Sequence, residues 1–286
     1  MLTGLAADPL RRYYHAVARA ADLVGVEAVE LLGIRYAIWR DPSGTVVGTE
    51  DHCPHREAPL SIGTCVNGVV QCVYHGWRFG EDGRCIEVPS AAPGTPVPPR
   101  AHLQTVCVAE RYGLVWLCPG DPVAEIPLVP EEDNPRFYRI NVEVQTWNVS
   151  VGRMVDNFLD YSHFPYVHIA SFGGATDAEV DSISLEQFGD FHGYRYAVDA
   201  SNPNEAQLAS GTSEAIVERE MSTGFALPFT VRSTIAYASG LHHSLLLCST
   251  PIDEARSSFT FVVWRDDERT RPDEEIIAFD RQIGEE

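Results

Sequence analysis

Short apolar or alternating runs dominate the first half of the chain, at residues 36–39, 45–47, 69–73, 105–108 and 114–118. Turn chemistry separates them, in Asp41-Pro42-Ser43-Gly44, Asn67-Gly68 and Glu81-Asp82-Gly83. That rhythm predicts a small antiparallel β-domain. Five prolines within residues 89–99 predict an extended surface arm, and five more within 119–135, where the strand rhythm stops, mark a domain boundary. The expected domains are therefore 1–130 and 131–286. In the second, residues 148–161 place Val151, Val155, Phe158 and Leu159 on one helical stripe. Residues 229–237, 244–248 and 257–264 predict longer strands, and 273–282 return to helical spacing through Ile276, Ile277 and Phe279. The whole is α+β, an all-β domain followed by an antiparallel sheet mixed with helices.

Composition narrows the chemistry. The 286 residues are 44% hydrophobic and 22% charged, an ordinary globular balance. With 41 acidic against 21 basic side chains the net charge is -20, which repels phosphate backbones and anionic surfaces. Neither nucleic acid nor a membrane is an expected partner. Every basic residue is arginine, so phosphate-loop, Schiff-base and lysine-base chemistries are excluded. No apolar run reaches the roughly 18 to 20 residues of a membrane span. Residues 1–9, with Asp8 among them, lack the basic-then-apolar order of a secretory signal, so the expected location is cytoplasmic. Seven cysteines without such a signal predict free thiols rather than a disulfide framework. Cys65, Cys85, Cys107, Cys118 and Cys248 have no ligand-type neighbour. Cys53 and Cys72 do.

Cys53-Pro54-His55 and Cys72-Val73-Tyr74-His75 each offer one thiolate and one imidazole on a short loop. Four such ligands suit zinc or an iron–sulfur cluster. Zinc fingers group like ligands, two cysteines and then two histidines. Mixed pairs suit a two-iron cluster with cysteines on one iron and histidines on the other. The segments Asp51-His-Cys-Pro-His-Arg-Glu-Ala-Pro-Leu60 and Cys72-Val-Tyr-His-Gly-Trp-Arg-Phe79 resemble the cluster loops of Rieske non-heme iron oxygenases. The resemblance implies Cys53 and Cys72 on the inner iron and His55 and His75 on the outer one. Respiratory Rieske proteins carry a further cysteine in each loop, where this chain has Ala58 and Tyr74.

A second dense stretch runs from Asp156 to His168. Asp160 and His163, three apart, share a helical face. His163 and His168, five apart, would point roughly 140° away from each other on an unbroken helix, and Pro165 is expected to force a break or a re-entry between them. Two histidines with a carboxylate are the donor set of non-heme Fe(II) oxygenases. The spacing Asn157, Asp160, His163, His168 is similar to the iron-binding segment of the same family. That resemblance implies His163 and His168 as iron ligands, and Asp160 as the carboxylate linking an iron histidine to a cluster histidine of a neighbouring subunit. It places Asn157 beside the iron. The family's third ligand is an aspartate late in the chain; here it would follow Glu286, with Asp273 as the alternative.

By this resemblance the chain is the oxygenase component of a multicomponent system. Electrons come from NAD(P)H through a flavin reductase, with or without a ferredoxin, and O2 is the co-substrate. The implied cofactors are a [2Fe-2S] Rieske cluster and mononuclear Fe(II), in a homotrimer with a helix-grip-like catalytic domain. The expected reaction is hydroxylation or oxidative demethylation of a small apolar, aromatic or polycyclic molecule. The alternative is a Rieske electron carrier with a non-catalytic second domain. The pocket is expected between residues 225 and 264 and at Phe172, with Arg232 or Ser233 as polar anchors. His242-His243, inside a strand, should place one ring on each face of the sheet. Arg56, Arg78 and Arg84 could receive an acidic electron donor.

Overall fold

The computed structural model describes residues 9–180 and 182–286; the expectation about a secretory signal falls on residues 1–9, of which 1–8 lie outside the described residues. Two compact units emerge. One is the segment ending at Ile126 together with 144–150 and 250–258, and the other comprises 127–143, 151–249 and 259–286. The chain order is β1 (His15–Arg19), β2 (Val26–Leu31), β3 (Ile34–Arg40), β4 (Val46–Glu50), β5 (Thr64–Val66), β6 (Val69–Gln71), β7 (Arg78–Phe79), β8 (Cys85–Glu87), β9 (Thr105–Arg111) and β10 (Leu114–Cys118). Then come β11 (Tyr138–Asn141), β12 (Gln145–Trp147), α1 (Val151–Phe158), α2 (Phe164–Val167), β13 (Glu186–Phe188), β14 (Phe191–Ser201) and α3 (Gln207–Ser210). β15 (Ile216–Ala226), β16 (Thr230–Tyr237), β17 (His242–Pro251), β18 (Ser257–Arg265) and α4 (Asp273–Glu285) complete the α+β chain. No helix among the described residues is long and apolar enough to cross a membrane.

The first unit holds a six-stranded sheet, β1-β10-β9-β4-β3-β2, and a four-stranded sheet, β5-β6-β7-β8. β3 explains why its sequence is apolar without alternation. Tyr36 and Ile38 enter a core with Leu31, Val115 and Leu117, while Ala37 and Trp39 enter another with Leu60, Val70, Phe79 and the two motif cysteines. Successive side chains of a strand point to opposite faces, so β3 is buried on both. Each large side chain there contributes on the order of 2 kcal/mol. Trp39 Nε1 donates to Gly68 O at 3.1 Å. Gly68 belongs to the predicted turn, with Asn67 at φ 53° and Gly68 at 75°, the conformation a tight hairpin requires. The strand expected over 69–73 stops at Gln71, because Cys72 N–H turns aside to Trp77 O.

The second unit is built on the sheet order β11-β18-β17-β16-β15-β14-β13. Its register puts Tyr194, Tyr196 and Val198 opposite Thr223, Met221 and Arg219. Those lie opposite Ser233, Ile235 and Tyr237, and Ile235 lies opposite His243. These residues share one face, covered by Tyr161, Phe164 and Phe172, with Ile283 of α4 packed against them. The helix expected over 148–161 is shorter. It ends at Phe158 because the sheet captures its last carbonyls: Thr223 Oγ1 donates to Phe158 O at 3.1 Å and the Tyr194 hydroxyl to Leu159 O. Those side chains satisfy acceptors that a helix terminus leaves open.

Candidate metal centres

The two cysteine loops share one backbone design. Cys53 N–H donates to Ala58 O and Cys72 N–H to Trp77 O, at 2.8 and 2.9 Å. In return Glu57 N–H donates to Cys53 O and Gly76 N–H to Cys72 O, at 2.9 and 3.0 Å. The residue at the same place in each loop has positive φ, 59° at Glu57 and 71° at Gly76. Asp51 anchors the first loop by accepting from Arg35 Nε at 2.6 Å and from the N–H and hydroxyl of Ser61 at 2.8 and 2.6 Å.

Both thiols are buried at 1% exposure, His55 is half-buried, and His75 is exposed. The imidazoles stand 4.5 Å apart between ring centres, and His55 stacks on Trp77 at 4.5 Å and 6°. Burial first, and the neighbouring Cys72 after it, push the Cys53 thiol up to about 11, while the N–H groups of His55 and Arg56 act the other way. Desolvation, then His75 and Arg56, lower the pKa of His55, whose Nδ1 is buried with no hydrogen-bond partner. Two inner sulfurs and two outer ring nitrogens, one of them orphaned, fit a Rieske [2Fe-2S] cluster by donor chemistry. Of the nearby arginines, Arg78 is bound to Gln71 and Glu87, Arg84 is paired with Asp82, and Arg56 is exposed.

The second centre shows which of the two roles expected of Pro165 the chain adopts. The chain re-enters a helix between the histidines rather than breaking one: Pro165 lies in the first turn of α2, with His163 as the residue before that helix and His168 as the residue after it. The first turn needs no proline N–H, so the ring is tolerated there. The chain break comes earlier, between Phe158 and His163. A one-turn helix with a histidine at each end brings the rings to 5.2 Å, tilted by 59°.

Each ring has its Nδ1 taken by a carboxylate. Asp160 Oδ2 lies 2.9 Å from His163 Nδ1, and Asp160 Oδ1 accepts from Ser162 N–H and Oγ at 3.0 and 2.7 Å. Burial acts to raise the Asp160 pKa, but the bonds from Ser162 and His163 prevail and hold it below the usual carboxylate value. Glu286 Oε2 lies 3.1 Å from His168 Nδ1 and accepts from Ser171 Oγ at 2.7 Å. Desolvation lowers the His168 pKa against the pull of Glu286. Phe172 stacks on His168 at 5.0 Å. With Nδ1 occupied on both rings, Nε2 is the donor left to each, as in carboxylate–histidine–metal arrangements. Among the described residues no third donor joins them in a ready-made ligand group.

Asp273 is not the missing ligand. It starts α4, tied to Arg269 at 2.6 Å, and 13 residues of helix put it about 20 Å along the axis from the end that reaches His168. Glu286 and Ser171 carry no signal of their own in the sequence, and the carboxylate that the family resemblance implies would stand one residue past Glu286. Asn157 is exposed near the end of α1, where its carbonyl accepts Asp160 N–H at 3.2 Å. Arg232 is already paired with Glu131 at 2.5 Å and is not free to anchor a ligand, and Ser233 Oγ lies 3.4 Å from Thr223 Oγ1. His242 and His243 do take opposite environments, exposed and buried respectively.

Residues 14–107 match the Rieske [2Fe-2S] domain family, and residues 147–286 the vanillate O-demethylase oxygenase C-terminal domain family. Methylxanthine N1-demethylase NdmA of Pseudomonas putida is 29% identical over 282 residues, covering 94% of this chain and 77% of that protein. Methylxanthine N3-demethylase NdmB of the same organism is 27% identical, covering 97% and 79%. The oxygenase component of dicamba O-demethylase from Stenotrophomonas maltophilia is 36% identical over 52% of this chain and 43% of its own length. The solved structure of Pseudomonas putida CBB5 NdmA with caffeine superposes with a TM-score of 0.81 at 26% identity, covering 96% of this chain and 80% of that one. These likenesses favour the oxygenase over the electron carrier. The chain belongs to the Rieske oxygenase components, oxidoreductases in which a Rieske [2Fe-2S] domain precedes a non-heme iron oxygenase domain of the vanillate O-demethylase type.

Proposed function

We propose that Cys53, His55, Cys72 and His75 hold the [2Fe-2S] cluster within residues 1–130, and that His163 and His168 hold mononuclear Fe(II) within residues 131–286. The reaction is hydroxylation or oxidative demethylation of a small aromatic or polycyclic molecule. One observation carries this reading: two histidine rings converge with each Nδ1 taken by a carboxylate. When bound, the cluster relays single electrons and the iron activates dioxygen.

The chain's own residues prepare that chemistry. Asp160 Oδ2 accepts the Nδ1 proton of His163, which fixes the tautomer whose Nε2 lone pair faces outward. Glu286 does the same for His168, and Ser171 aims Glu286 by donating to the same oxygen. Phe172 and Phe164 pack at right angles, 4.9 Å apart, on the buried side of the pair and keep water from that side. Asn157 holds the turn that presents Asp160.

Electrons are supplied from NAD(P)H by a flavin reductase, directly or through a ferredoxin, in the cytoplasm. The assembly is a homotrimer in which Asp160 reaches a cluster histidine of the neighbouring subunit. The test combines iron analysis, sedimentation and O2 uptake with a surrogate reductase over aromatic acids, methyl ethers and polycyclic compounds. Iron beyond the cluster's own and substrate-dependent O2 uptake are expected. Cluster iron alone, with no such uptake, would make the protein an electron carrier.

A further inference from the structure

Arg219 on β15 is only 6% exposed, yet its guanidinium makes no hydrogen bond or ion pair with any described residue, and its Nε is sealed from solvent. Buried cations are ordinarily paired. The other buried or largely covered arginines of the same unit follow that rule: Arg265 holds Asp267 through two bonds of 2.8 Å, and Arg232 holds Glu131. Arg219 instead lies between rings, with Cζ 5.4 Å from the centre of Phe172 and 5.6 Å from that of Tyr237. Aromatic faces moderate the cost of the charge but supply no acceptor for its N–H groups.

Its position gives the gap a meaning. Register sets Arg219 opposite Val198 and Tyr237, on the face that packs against α2. The Phe172 ring beneath it is the one stacked on His168, so a single ring separates the guanidinium from a proposed iron ligand. His243 lies against Tyr237 at 5.5 Å, is 8% exposed, and has an Nε2 with no partner. Two buried side chains, each with an unpartnered nitrogen, Arg219 Nε and His243 Nε2, thus stand on the same face of the sheet.

We infer that Arg219, assisted by His243, anchors the substrate, and that the substrate is an aromatic carboxylate whose oxygens supply the acceptors Arg219 lacks. A carboxylate matches the guanidinium fork, and an aromatic ring on it suits surroundings that already hold Phe172 and Tyr237. The inference rests on the oxygenase reading for what happens to the molecule after it binds, but not for binding itself.

The probes are benzoate and benzamide, followed by calorimetry and thermal melting on the full chain. Benzoate should bind about tenfold or more tightly than benzamide, the worth of a charge-assisted bond. Arg219→Met should lose that preference and raise the melting temperature of the ligand-free protein, since a cation without a partner no longer has to be buried. Arg219→Gln should lose the preference as well, and Arg219→Lys should keep part of it. Equal binding of benzamide, an unchanged preference in both Arg219→Met and Arg219→Gln, or a lower ligand-free melting temperature in Arg219→Met would overturn the assignment. O2 uptake then separates the two readings, with 4-methoxybenzoate and its methyl ester as the pair. Arg219-dependent binding of 4-methoxybenzoate without uptake keeps the anchor and removes the oxygenase. Uptake with the ester that equals the acid, and is indifferent to Arg219→Met, removes the anchor and keeps the oxygenase.

Discussion

Replacing Asp160 by asparagine tests the second centre with a change of one atom. Asp160 Oδ2 is an acceptor 2.9 Å from His163 Nδ1. An asparagine can present its NH2 there instead, which would move the ring proton to Nε2 and remove the lone pair a metal needs. A carboxylate behind a ligating histidine is worth about 10–100-fold in metal affinity. The Asp160 side chain is 45% exposed, so screening by solvent puts the loss at the low end, about tenfold or about 1.4 kcal/mol. The assay is iron content after dialysis against graded chelator, with the visible cluster spectrum as internal control. The expected outcome is an unchanged cluster and loss of the remaining iron at about a tenth of the chelator strength the parent protein tolerates. Because the folded pKa of Asp160 lies below its ordinary 3.8, its contribution is fully present above that value and is lost only as pH falls through the lower folded one. The difference between the two proteins should therefore be flat across neutral pH. Parent-like iron retention in the variant would refute the positioning role of Asp160.

The other predictions concern the cluster, the hairpin and α4. Cys53→Ser should abolish the visible cluster spectrum and lower the melting temperature, measured by absorbance and calorimetry, while Cys107→Ser, at an exposed thiol, should change neither. Gly68→Ala would place a Cβ 2.3 Å from Pro42 Cδ at a φ of +75°, and should cost about 2–3 kcal/mol in denaturant melts. Burial raises Asp280 to about 7, with Arg265 opposing. An acid whose folded pKa is raised binds more protons folded than unfolded, so its contribution weakens as pH rises from about 4 to 7. Asp280→Asn should remove that slope and gain about 1–2 kcal/mol at pH 8, discounted for partial solvent access, which parallel melts at pH 5 and 8 would show.

The proposed cluster loops were legible because each packs its ligand types and its turn into a few consecutive residues, which is what carries the resemblance to Rieske loops. The iron segment was half legible. Asp160, His163 and His168 are named by type and order, but the one-turn helix that makes the rings converge depends on Thr223 and Tyr194 ending α1 from the sheet. No local pattern reveals such a long-range bond. β14 and β15 were missed for a related reason: His192, Arg195 and Asp199, or Glu218 and Glu220, interrupt the apolar positions, and only a two-sided sheet explains the alternation. Arg219 is hidden in that charged pattern. In sequence it looks like its solvated neighbours, and only the register turns it inward.

The double burial of β3 ties the fate of the cluster to the whole first unit. Tyr36 and Ile38 hold one core while Ala37 and Trp39 hold the core that contains Cys53 and Cys72. A strand shared in this way cannot release one side and keep the other, so the two cores should open as a single cooperative unit. The amides of β3 should be the last in that unit to exchange with deuterium, and loss of iron should hasten exchange in both cores together.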